Sequence, residues 1–163
     1  MRRVLPTTVL EAVARRLELE VSYAARQPWV PNSRQLARWA AAALAPMRRS
    51  MVLSIRVVGQ GRSRSLNAHY RHKDRPTNVL SFTGAGQVPD GRYFLGELVI
   101  CAAVVAREAR TQEKTLDSHW AHMTVHGVLH LLGFDHERRP EAAKMAKKEI
   151  QILDRLGFSD PYR

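Results

Sequence analysis

HGVLHLLGFDH, residues 126–136, carries three histidines and two glycines, and its reading decides the fold around it. The apolar residues between the histidines suit the end of a buried helix. His126 and His130 are four apart, so about 40° separates them around a helix axis at 3.6 residues per turn. Both imidazoles then face one point. Gly133 suits the left-handed conformation that ends a helix and reverses the chain. That reversal swings His136 back toward the first two. Three neutral imidazoles leave a fourth position open on zinc, as in a catalytic site and unlike a closed structural one.

The spacing H-x3-H-x2-G-x2-H is that of the metzincin peptidases, with one decisive difference. Their second residue is the glutamate that takes a proton from water; here it is Gly127. Met145 falls inside a predicted last helix, so no Met-turn is evident. The ligands of a peptidase are present and its base is absent. Five of the seven histidines lie between His119 and His136. His119 and His122 extend the same helical face, but their spacing does not demand a metal. They are expected to hydrogen-bond neighbours or line a cleft. Asp135 suits two roles equally, orienting a ligand histidine or closing the turn.

Working outward, Asp117 or Ser118 is expected to cap the histidine helix, which ends near Gly133. Pro140 fits the first position of a final helix that finishes before Gly157. Upstream, residues 102–114 read as helix. NVLSF (78–82) and FLGELVIC (94–101) read as strands joined by a loop containing the turn signal Asp90-Gly91. SRSLNAHYRHK (63–73) reads as a short basic helix, and MVLSIRVVG (51–59) as a β-branched strand. Asn32 or Ser33 can cap a helix with an apolar stripe of Leu36, Trp39, Ala40 and Ala43, stopped by Pro46. LELEVSY (17–23) alternates like a half-buried strand. The fold class expected is α/β with an α+β-like character: a small mixed four-stranded sheet packed with helices, including a zincin-like metal-site helix.

The chain has 163 residues, most simply one domain over 1–163. Its 26 Lys and Arg against 15 Asp and Glu give a formal net charge of +11. Such a balance concentrates polyanions, with nucleic acid the leading partner and anionic membrane second. No window approaches the apolar length of a membrane span, and residues 1–16 lack the apolar run of a secretory signal. The single cysteine, Cys101, ends an apolar strand and reads as a buried, inert thiol. It fits a reducing compartment, so a cytoplasmic location is expected. Trp39 and Trp120 are expected in the core.

HGVLHLLGFDH together with LNAHYRHKDRPTNVLSF, FLGELVIC, HWAHMTVHG and LGFSDPY resembles the YbeY family of bacterial endoribonucleases. The resemblance runs from about Ser65 to the C-terminus. The first fifty residues match only in their strand–helix–strand pattern. Thr83, Glu97 and the loop GAGQVPDGRY depart from the family's usual residues without touching the histidine motif. The resemblance implies a zincin-like fold and one Zn2+ per chain, held by His126, His130 and His136. It also implies a functional arginine at Arg71. It further implies single-stranded RNA as substrate, 16S ribosomal RNA 3′-end maturation and ribosome quality control. Ribosomal particles and ribosome-associated proteins are the partners it suggests, with no membrane.

Chemically, a bound metal can bring the pKa of water to about 7 without a dedicated glutamate. A phosphodiester further demands neutralisation of its non-bridging oxygens, which an arginine meets through paired hydrogen bonds. Attack by water and attack by the RNA's own 2′-hydroxyl both remain open. The alternative function is a metal-stabilised ribosome assembly or RNA-binding factor with little turnover. A zincin-type peptidase is disfavoured by Gly127.

Overall fold

The structure is a computed structural model that describes residues 7–134 and 137–163. Four strands, β1 (Leu17–Tyr23), β2 (Met51–Val58), β3 (Val79–Gln87) and β4 (Tyr93–Cys101), form one sheet in the order β1-β2-β4-β3. β1 runs parallel to β2 and β2 parallel to β4, while β3 returns antiparallel to β4. The mixed four-stranded sheet expected from the sequence is therefore present. Among the described residues, six helices surround it: α1 (Thr7–Arg16), α2 (Ser33–Ala43), α3 (Gln60–Arg71), α4 (Ala102–Thr111), α5 (Leu116–Leu131) and α6 (Arg139–Arg155).

The strands follow their side-chain alternation. β1, at an edge, is half-buried at every second residue. β2 buries Met51, Leu53, Ile55 and Val57 on one face. With Leu98 and Ile100 of β4, these residues meet α1, α2 and α5 in the main core. The opposite face carries a smaller cluster of Val58, Leu80, Val99, Cys101 and Val104, against which Leu66 of α3 packs. Fully burying one Leu or Ile contributes about 1.5–3 kcal/mol, so apolar packing, and not the polar site described below, holds these layers together.

α5 is buried on nearly every side, with Trp120, Ala121, Val125, Val128 and Leu129 fully enclosed. It lies against β3 and β4 and is flanked by α2, α4 and α6. A helix enclosed on this many sides belongs in a core, and its buried polar residues need partners there. Trp39 and Trp120 are buried, as is Cys101. Asn32 caps α2 through a reciprocal pair, its Oδ1 accepting from Gln35 N and its N donating to Gln35 Oε1, both at 2.9 Å.

Several boundaries differ from those expected. α5 is capped by Thr115, whose Oγ1 accepts from Ser118 N at 3.2 Å, and not by Asp117 or Ser118. Thr115 lies one residue before the helix and so has the extended backbone a cap requires. α3 begins at Gln60, just after Gly59, and ends at Arg71 with His72 in the left-handed region. β3 continues past Phe82 to Gln87 by way of an irregular register between Thr83 and Gly86. α1 was not anticipated. Leu10 and Val13, three apart, bury one side of it.

Candidate metal centre and cleft

Along α5, His119, His122, His126 and His130 follow one another at intervals of three or four, so they share a stripe. Their side chains emerge progressively from the core: 3% exposed at His119, 10% at His122 and 22% at His126. The His119 end of the stripe is therefore enclosed in the protein. Its open end reaches a cleft.

At that open end the Nε2 atoms of His126 and His130 approach to 3.1 Å. The one-turn spacing read from the sequence does bring the two imidazoles together. His136 and Asp135 lie outside the described residues. Gly133 has φ +97°, the left-handed conformation that turns the chain after α5. The other ring nitrogen of His126, Nδ1, faces Glu149 Oε1 of α6 at 2.5 Å. Glu149 Oε2 meets His122 Nε2 at 2.8 Å and accepts from the hydroxyl of Tyr162. His122, His126 and Glu149 thus form a group whose donor atoms lie within 4.8 Å of one another and could hold a metal ion.

Glu149 is 1% exposed. Burial alone would raise its carboxyl, but hydrogen bonds from His122 and His126, with their Coulomb attraction, outweigh it and bring the value down to about 2. Burial and the adjacent carboxylate push the Tyr162 hydroxyl up, so it stays a donor. Deeper in, His119 Nε2 meets Glu108 Oε1 at 3.1 Å, and Asn78 Nδ2 donates to the same carboxylate at 3.0 Å. Burial raises the Glu108 carboxyl, yet these two partners and nearby Arg107 leave it below its ordinary value. His119 and His122 do hydrogen-bond neighbours.

The cleft has a volume of about 680 Å³, and Arg71, Lys73, Arg75, Asn78, His126 and His130 are among its walls. Arg71 ends α3, and its Nη2 donates to Ser81 O of β3 at 3.1 Å. The segment between α3 and β3 is tied down by two buried polar residues of α3. Asn67 Nδ2 donates to Arg75 O at 2.8 Å, and Ser63 Oγ donates to Thr77 O at 3.0 Å. These bonds fix the segment that carries Lys73 and Arg75, which line the same cleft as Arg71 and the histidines. Arg71 and the histidine pair, far apart in sequence, are brought to one cleft.

Gly127 does not face this cleft. A Cβ there would lie 2.8 Å from Leu98 Cδ2 and 3.3 Å from Val79 Cγ2, against the sheet. Its carbonyl accepts from Ser81 Oγ at 3.1 Å. The position a peptidase gives to its base is used here to seat α5 on β3 and β4. Sequence reasoning missed Glu149 and Tyr162. One signal was available: Glu149 interrupts the buried stripe Met145, Ile152, Leu153 of an amphipathic helix. A carboxylate placed there needs partners.

The family model described as endoribonuclease YbeY matches residues 23–157. The endoribonuclease YbeY of Stenotrophomonas maltophilia (strain K279a) is 51% identical over 153 residues, covering 90% of this chain and 94% of that protein. That of Xanthomonas campestris pv. campestris (strain B100) is 50% identical over the same length and coverage. The solution structure of TM1509 from Thermotoga maritima superposes with a TM-score of 0.54 at 22% identity, covering 85% of this chain and 91% of that one, and so shares the fold. The chain belongs to the endoribonuclease YbeY family.

Proposed function

We propose that this chain is a zinc-dependent, single-strand-specific endoribonuclease. We place it in the cytoplasm, acting on ribosomal RNA in 16S 3′-end maturation and in ribosome quality control. The observation that carries the proposal is the convergence in one cleft of the His126–His130 pair with Arg71, Lys73 and Arg75. The names of its relatives support RNA as the substrate.

The residues fit a metal. Two imidazole nitrogens converge at 3.1 Å, and one ring is backed by a carboxylate, a common arrangement at zinc sites. His126, His130 and His136 would hold one Zn2+, which when bound supplies Lewis acidity toward water and phosphoryl oxygen.

The remaining work falls to the protein. Arg71, Lys73 and Arg75 attract the RNA backbone and set its path along the wall. The Arg71 guanidinium, held by Ser81 O, is preorganised to neutralise charge growing on the non-bridging oxygens as phosphorus becomes five-coordinate. Reaction by the 2′-hydroxyl would leave a cyclic phosphate, and reaction by water a monoester, so product end groups separate the two routes. Stripping the metal with a chelator should abolish cleavage of an unstructured RNA, and adding zinc back should restore it. Undiminished cleavage by the metal-free protein would refute the proposal.

A further inference from the structure

The cluster of His122, His126 and Glu149 offers two places for an ion: within the cluster, or beyond it on the cleft side of His126. The hydrogen bonds decide between them. Glu149 is enclosed, and both of its oxygens are engaged, Oε1 by His126 Nδ1 and Oε2 by His122 Nε2 and the Tyr162 hydroxyl. An ion inside the cluster would have to strip bonds from a buried carboxylate that has already satisfied its charge. An ion on the cleft side leaves them all in place and meets His126 and His130 through the Nε2 atoms that converge at 3.1 Å.

We infer that Glu149 is a positioning residue. By accepting the Nδ1 proton of His126 it fixes the ring's tautomer and plane, so that the Nε2 lone pair is presented to the metal in the cleft. This rests on the metal-dependent reading above. His122 and Tyr162 in turn position Glu149. Tyr162 sits in the C-terminal tail, which Lys114 Nζ anchors by donating to Arg163 O at 2.8 Å. The tail thus closes the back of the site, and two helices and the tail cooperate to aim one imidazole. Outer partners of this kind typically contribute 10–100-fold in metal affinity.

Nitrogen-detected NMR of the imidazoles tests this directly in the metal-free wild-type protein at pH 8. His126 should carry its proton on Nδ1, and should keep it there when zinc is added. An Nε2–H tautomer in the wild type, or transfer of the proton to Nε2 on loading, would place the ion within the buried cluster and overturn the assignment. This arm requires no variant to fold. The second arm measures cobalt(II) affinity by competition with a chromophoric chelator for the wild type, Glu149→Gln and His130→Ala. Glu149→Gln should bind about 10–100-fold more weakly, with the His126 tautomer no longer uniform. Wild-type affinity together with an unchanged tautomer in Glu149→Gln would overturn the inference. Equal affinity in the wild type and His130→Ala would instead refute the metal site itself, while the tautomer measurement still judges Glu149.

Discussion

Arg71 is exposed at the end of α3, yet its guanidinium is not loose: it donates to Ser81 O and lies 5.5 Å from the Phe82 ring centroid. Fixing a donor before substrate arrives avoids reorganisation at the moment of reaction. Truncating it should therefore cost turnover and spare the metal. Arg71→Ala is expected to lower kcat for RNA cleavage about 10²–10³-fold, the range typical for one preorganised donor, with zinc content unchanged. Full activity in that variant would remove Arg71 from the mechanism. At this scale the sequence showed what helix geometry alone dictates: residues four apart share a face, so His126 and His130 were readable as a pair. Glu149 was not, because its contact with His126 depends on how α6 docks against α5. No local spacing encodes that docking.

At the scale of elements, α5 is the piece on which the rest depends. It presents histidines to the cleft, apolar residues to the core and Gly127 to the sheet. A glycine inside a helix costs roughly 1 kcal/mol against alanine, and here the close approach of Leu98 and Val79 explains it. Gly127→Glu, which would recreate the peptidase motif, should not yield a peptidase. It would drive a carboxylate into the sheet and lower stability by about 3 kcal/mol or more, through overpacking and an unpaired buried charge. Denaturant unfolding checks this. A variant as stable as the wild type would show that α5 is not seated as described. The strands and most helices were legible from alternation and capping signals, as at Asn32. Where the reading fell short, tertiary pairing had overridden local cues. β3 extends beyond Phe82 because β4 supplies partners as far as Tyr93, despite two glycines in the strand.

Over the whole molecule, the apolar core and the polar groups of the cleft are built largely from different side chains. The main core is apolar and reaches the cleft at Val79, while the cleft cations Arg71, Lys73 and Arg75 stand outside it. A net charge of +11 favours anionic polymers as partners, and Arg71, Lys73 and Arg75 bring part of that charge to the cleft that His126, His130 and Glu137 also line. No helix among the described residues is long and apolar enough to cross a membrane. The sign of the charge was plain from composition. Its concentration at the cleft emerged only once α3 and its following segment were folded against β3.

This separation makes the central claim open to a clean test. His130 is only partly buried, so His130→Ala should leave the fold intact while removing one of the two converging nitrogens. The measurement is cleavage of an unstructured RNA by the wild-type protein and by His130→Ala, purified identically. Cleavage by the wild type that vanishes in the variant is the predicted result, and it places the activity at the histidine centre. Equal cleavage by both, or none by either, would contradict the account and favour a metal-stabilised RNA-binding factor in its place.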